Sequence, residues 1–161
     1  MPKMKLDAID KRILSALQRD ARLSNVQLAE EVCLSPSLCL RRVRILEESG
    51  VIAGYHASLD RSGLGLGITV FVSVKVERHH DETATTFREA VLSLAEVISC
   101  YLVSGEADFL LQVVVPDLDH YERFLLGTLL KMPGVRDIKS NFVIQTVKAQ
   151  GPLPLHHLPD N

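Results

Sequence analysis

Between Ser35 and Leu46 the chain reads SPSLCLRRVRIL, with three arginines, Arg41, Arg42 and Arg44, and no acidic residue. Arginine presents a planar fork of donors that takes a guanine edge or a phosphate in pairs. The stretch therefore has the chemistry for nucleic acid, provided that a rigid element aims it. At about 100° per residue on a helix, Cys39, Val43 and Leu46 share one narrow arc, which is a face to bury. Ser37, Arg41 and Arg44 fall on the opposite arc and Arg42 on the flank between them. A solvated face partnered by Glu47 and Glu48 is the blander reading. The absence of acid from Ser35 to Leu46 favours a DNA recognition helix, which has the right width for the major groove.

A second set of chemical groups lies at Gly105-Glu106-Ala107-Asp108. An amino-acid zwitterion needs an acceptor for its ammonium and donors for its carboxylate; Glu106 and Asp108 have the first property and backbone N–H groups near Gly105 the second. A plain hairpin with acidic turn residues explains the same letters, and the residues alone leave both readings open.

Other candidate chemistry is thinner. Cys33, Cys39 and Cys100 are an odd number with no CxxC pair, which suggests neither a disulfide framework nor a zinc site. Redox sensitivity of Cys33 and Cys39 is the sharper reading, two ordinary buried thiols the simpler one. His79-His80 and His156-His157 are adjacent pairs without further ligands at metal spacing, so no metal site is expected. The glycines of DRSGLGLG (60–67) form no GxGxxG or GKS/T fingerprint. Asp108, Glu106, Tyr101 and Cys100 are near in sequence, but no nucleophile, base and orienting group stand at a recognisable spacing, so an enzyme is not expected. Neither is a cofactor.

The elements that would position the arginines can be read directly. Leu6, Ile9, Ile13 and Leu17 make a stripe on a support helix from about Leu6 to Arg19. Ser24 with Gln27 three residues on is a capping box, and Leu28, Ala29 and Val32 continue at helical spacing. Ser35 suits the cap of the next helix, whose first position is Pro36, and Gly50 suits its end. Two short helices joined by a tight turn make a helix-turn-helix. Val51 to Leu59 looks extended, as a wing strand would, and 60–67 reads as a compliant linker.

From Ile68 the period changes to two: Ile68, Val70, Val72, Val74 and Val76 alternate with Thr69, Phe71, Ser73 and Lys75. A helix around Phe87 to Leu94, strands at Val97–Ser104 and Asp108–Val115, a helix after Pro116-Asp117 and a strand from Val135 follow. The fold class expected is α+β: a winged helix-turn-helix at 1–59, a linker at 60–67, a ferredoxin-like βαββαβ domain at 68–150 and an irregular tail at 151–161. Helices on one face leave the other uncovered, and the abundance of Val, Ile and Leu implies that a second subunit covers it.

Hydrophobic residues make up 47% of the 161, and no apolar run approaches the ~20 residues of a membrane span. The N-terminus lacks a signal-peptide core, so a cytoplasmic protein with no membrane partner is expected. Net charge is −2, yet residues 1–50 hold nine Lys+Arg against seven Asp+Glu and 51–161 nine against thirteen. The positive half is the one with the arginines, and several copies of it would be needed for tight binding.

LDAIDKRILSALQRDARLSN, LAEEVCLSPSLCLRRVRILEESGVIAGYHASLD, CYLVSGEADFLLQVVVPD and MPGV together closely resemble the leucine-responsive regulatory protein / AsnC family of transcription regulators, from Leu6 to about Lys148. The resemblance implies a winged helix-turn-helix and an effector-binding, dimer-forming domain, with double-stranded promoter DNA and an amino acid such as leucine or methionine as partners. It also implies homodimers that assemble further, often to octamers. Carried over, DNA contacts would fall to Ser35, Ser37, Arg41, Arg42 and Arg44. The effector site would involve Tyr101, Val103, Gly105, Glu106, Ala107, Asp108, Ser140 and Asn141. The family usually has Gly where Cys33 stands and often Pro where Leu38 stands; a position that requires positive φ would strain the turn at Cys33. A ligand-independent architectural DNA binder, or an oligomer that binds small molecules without DNA, are the other classes.

Overall fold

The computed structural model describes residues 5–77 and 81–158, which leaves the His79-His80 pair outside. The chain forms two compact units, one of residues 1–57 with 148–161 and one of residues 58–147.

The first unit is built on three helices: α1 (Ala8–Arg19), α2 (Asn25–Glu31) and α3 (Pro36–Glu48). Local sequence starts each of them. Asp7 caps α1 through the amides of Ile9 and Asp10, while the Asp10 carboxylate takes the Asp7 N–H, closing a capping box. Ser24 and Gln27 close the corresponding box on α2. Pro36 opens α3 as expected, but the Ser35 hydroxyl makes no capping bond; its Oγ lies 3.4 Å from Ser37 Oγ. Ile13, Leu14, Ala16, Leu28, Ala29, Val32, Cys39 and Leu46 are buried together, with Leu6, Leu23, Val43 and Ile52 against them.

Cys33, in the turn between α2 and α3, has φ +58°, and no other described residue except glycine has positive φ. The left-handed region costs an L-residue with a Cβ on the order of 1–2 kcal/mol. We expect Cys33→Gly to raise the stability of this unit by about 1 kcal/mol in denaturant unfolding, as glycine's own backbone entropy offsets part of the relief.

Among the described residues, 51–60 pair with no strand, so the expected wing strand does not form there. An extended segment needs a partner to become a ladder, and what holds this one is local. The Ile52 amide donates to Leu46 O, and Tyr55 Oη donates to Glu47 Oε1 at 2.9 Å. Burial, and then the Glu47 carboxylate beside it, push the Tyr55 hydroxyl up to about 12. Residues 60–67 are likewise not slack: the Asp60 carboxylate accepts from the Ser62 and Gly63 amides, and the Leu66 amide donates to Arg61 O.

The second unit runs β1 (Ile68–Val76), α4 (Asp81–Leu92), β2 (Val97–Leu102), β3 (Phe109–Val115), α5 (Leu118–Gly127), a 3-10 turn at Leu129–Lys131, and β4 (Val135–Phe142). The sheet order is β2-β3-β1-β4 and every neighbouring pair is antiparallel. Val70, Val72, Val74 and Val76 of β1 join Phe109, Leu111, Val113 and Val115 of β3 on the face packed by Phe87, Val91, Tyr121 and Phe124 of the helices. The Val- and Leu-rich face is thus the one the chain covers itself, which corrects the argument that placed it opposite. The open face is mixed: Thr69, Phe71, Ser73 and Lys75 on β1, Leu110, Gln112 and Val114 on β3, and Tyr101 on β2.

Candidate nucleic-acid interface and effector site

Helix α3 divides as its sequence requires. Cys39 and Leu46 are buried and Val43 is half-buried, whereas Ser35, Ser37, Arg41 and Arg44 are exposed. The Asn25 side chain donates to Pro36 O at 2.8 Å, tying the start of α3 to the start of α2. Nothing in the periodicity signals that bond.

Arg42 has a different setting from its two neighbours. One guanidinium nitrogen donates to Asp7 Oδ2 at 2.7 Å and to Asp10 Oδ1 at 2.8 Å. Asp10 has only 6% of its side chain exposed, so the pair locks α3 to the N-terminus of α1 in a partly desolvated site. Burial pushes the Asp7 carboxyl up, but the Asp10 amide, the Arg42 guanidinium and the Ile9 amide outweigh it and hold it below the usual carboxylate range. The residue expected on the DNA surface is engaged in positioning the helix that carries that surface. The arginine exchange on α1 and α2 is simpler: Arg19 pairs with Glu31 on the exposed side.

At the other end of the molecule's chemistry, Gly105 has φ +131°, a conformation that favours glycine, in the connection between β2 and β3. The Val103 amide donates to Asp108 O, and the Asp108 amide to Val74 O. Asp108 Oδ2 accepts the Val76 N–H at 3.0 Å, so this carboxylate also holds the end of β1. Glu106 is exposed and Val103, Ala107 and Asp108 are half-buried. Tyr101 stands 56% exposed, opposite Leu110 on the open face.

Ser140 and Asn141 do not join this cluster. Successive residues of a strand point to opposite faces. Ser140 turns to the helices, where its hydroxyl meets Tyr121 Oη at 2.5 Å, and Phe142 packs edge-on against the Tyr121 ring. Burial pushes the Tyr121 hydroxyl up, and the Ser140 bond partly offsets that. Asn141 lies on the open face opposite Phe71, with its amide 3.5 Å from Phe71 O. With β2 and β4 at the two edges, and strands ~4.8 Å apart, Tyr101 and Asn141 are separated laterally by about 14 Å. One amino acid cannot touch both within a single chain.

The thiols divide too. Cys33 and Cys100 are exposed and Cys39 is buried, and burial pushes the thiols of Cys39 and Cys100 up, away from the reactive thiolate. Among the described residues no three His, Cys, Asp or Glu side chains gather as a metal site, and no helix is long and apolar enough to cross a membrane.

Two family models match the chain. Residues 6–53 fit a winged helix-turn-helix DNA-binding model, and residues 69–153 fit the Lrp/AsnC ligand binding domain. The chain belongs to the Lrp/AsnC family of DNA-binding transcriptional regulators. Among Lrp/AsnC relatives, the leucine-responsive regulatory protein of Escherichia coli K12 is 44% identical over 147 residues, covering 91% of this chain and 90% of that protein. A transcriptional regulator of Neisseria meningitidis, solved in complex with L-Met, superposes with a TM-score of 0.92 at 40% identity, covering 95% of this chain and 99% of that one. An AsnC family transcriptional regulator from Agrobacterium tumefaciens gives 0.88 at 39% identity, over 93% of this chain and 97% of that one. The combination of α3 with a ligand-binding second unit is therefore the family's own: a DNA-binding regulator whose second domain takes a small molecule.

Proposed function

We propose that this protein is a cytoplasmic, non-catalytic transcription regulator that binds promoter DNA through Ser35, Ser37, Arg41 and Arg44 and responds to an apolar amino acid, leucine or methionine. The observation that carries the DNA half is the division of α3, with Cys39 and Leu46 buried and both free-standing arginines on the opposite, exposed face. Arg42 is left out of the contact set because Asp7 and Asp10 already hold it.

For the effector, the turn Gly105–Asp108 with Tyr101 and Val103 supplies carboxylates for an ammonium and an aromatic wall for a side chain. The ~14 Å between Tyr101 and Asn141 argues that the site is shared, with Asn141 contributed by another copy. That reading requires at least a dimer and accommodates the octamer of the expected assembly. The relative solved with L-Met supports an amino acid as the ligand class.

A thermal-shift screen of the twenty amino acids tests this. A ligand that binds only the folded state stabilises it by RT ln(1 + [L]/Kd), so a millimolar binder registers at about 10 mM. We expect leucine or methionine to raise the midpoint of the second unit and Asp108→Asn to abolish the response. Asparagine keeps an acceptor for the Val76 N–H, which alanine would remove. If no amino acid shifts the midpoint, the effector reading is wrong and the protein is an architectural DNA binder.

A further inference from the structure

The DNA-binding unit contains a segment that comes from the far end of the sequence. Residues 148–161 belong to the same compact unit as residues 1–57, so the ligand-binding unit is inserted into the DNA-binding unit and the chain crosses between them twice. Leu155, half-buried, packs against the helical core. On the outer side of α1, the Gln18 side chain makes a two-way bond with the backbone of Leu153. The Leu153 amide donates to Gln18 Oε1 at 2.5 Å, and Gln18 Nε2 donates to Leu153 O at 3.3 Å. Lys11 Nζ, two turns earlier on α1, reaches Leu158 O at 3.4 Å. The segment has no helix or strand of its own, yet it is bonded at both ends and seated by a leucine in the middle.

We infer that residues 153–158 are a strap that completes the DNA-binding unit, with Leu155 and Gln18 as positioning residues for DNA binding. The inference rests on the DNA-binding role of α3. Two physical facts give it force. A core of eight small or medium side chains is marginal by itself, so the half-buried Leu155 packed against it adds to what holds it. The strap also follows β4, which ends at Phe142, through residues 143–152, of which Ile144 and Val147 are almost wholly exposed. The two units are thus joined by chain at two places, between α3 and β1 and between β4 and the strap. Since Arg42 joins α3 to the start of α1, both connections end on the helix pair that sets the recognition face.

The test uses the full chain. Amide hydrogen exchange is measured over α1, α3 and the sheet, together with affinity for a fluorescein-labelled random duplex of about 30 base pairs at low salt, where phosphate contacts dominate. In Leu155→Ser we expect exchange in α1 to rise at least about ten-fold and duplex affinity to fall about five-fold or more, with the sheet unchanged. Complete loss of protection in α1–α3 with an intact sheet supports the strap equally. Gln18→Ala, which leaves the core alone, should raise exchange more modestly around residues 15–19. Unchanged α1 exchange in both variants overturns the inference. So does a fall in affinity without faster α1 exchange, since the segment would then touch DNA itself. If the unmodified protein fails to bind the duplex, the DNA-binding reading fails, and the exchange measurement still decides the strap.

Discussion

Arg42→Ala will lower the stability of the DNA-binding unit by about 2 kcal/mol, and it will do so without DNA present. Removing the guanidinium leaves the Asp10 carboxylate, 6% exposed, with one oxygen on the Asp7 amide and the other without its partner. Breaking a buried ion pair from one side costs roughly 3–5 kcal/mol, and the partial exposure of Arg42 and Asp7 reduces that here. For a unit of this size the thermal midpoint should fall on the order of 10 °C. Were Arg42 a DNA contact alone, the midpoint would not move and only affinity would fall. The network also sets a lower pH limit. Asp7 is held below its ordinary value, so its contribution is complete above the unfolded carboxylate value of about 3.9 and is lost as pH falls through the folded value. Acid unfolding of the protein should therefore steepen below about pH 4, and Arg42→Ala should show a flatter profile there.

Arg41→Ala and Arg44→Ala should behave in the opposite way. Both side chains are exposed on α3 and carry none of the unit's core, so their removal should leave the thermal midpoint within about 3 °C. DNA affinity should fall about ten-fold for an arginine that contacts base edges, and the double variant should lose about a hundred-fold. Titration across salt concentrations separates the roles: loss of a phosphate contact reduces the slope of log K against log[salt] by about one, whereas loss of a base contact relaxes sequence preference. Unchanged affinity in the double variant would remove α3 from the interface.

Much of this arrangement is legible in the sequence where the determinant is local. Ser24 with Gln27, Pro36, and the spacing of Cys39, Val43 and Leu46 each act within one or two turns of helix, and each gives the element it should. The alternation Val70, Val72, Val74, Val76 likewise gives β1 with one buried face. Periodicity does not say which face the helices cover, and the Val-rich face went to them because it buries most apolar area. Ser140 and Asn141 are neighbours on a strand, and the two-residue period alone separates them onto opposite faces.

What the sequence hides is long-range pairing. Arg42 reads as one of three equivalent arginines until Asp7 and Asp10, more than thirty residues away, are placed beside it. Leu155 sits in a stretch of prolines and histidines with no period, and only the folded α1 shows where it packs. The extended look of residues 51–59 lacks a ladder for the same reason: a strand is defined by its partner, and none is supplied among the described residues. Cys33 lies between, since a tight turn at that point predicts positive φ only if the residue is judged by its place and not its type.

The central claim is that amino-acid binding and DNA binding are coupled in this one chain. Its most direct test is fluorescence anisotropy with a labelled duplex selected by the protein from sheared genomic DNA of its host, titrated with and without about 10 mM leucine or methionine at fixed salt. The account predicts an apparent Kd that changes at least about five-fold with one of them, and no change when Asp108→Asn is used. Identical curves with and without each amino acid, from a protein that does bind the duplex, would contradict it.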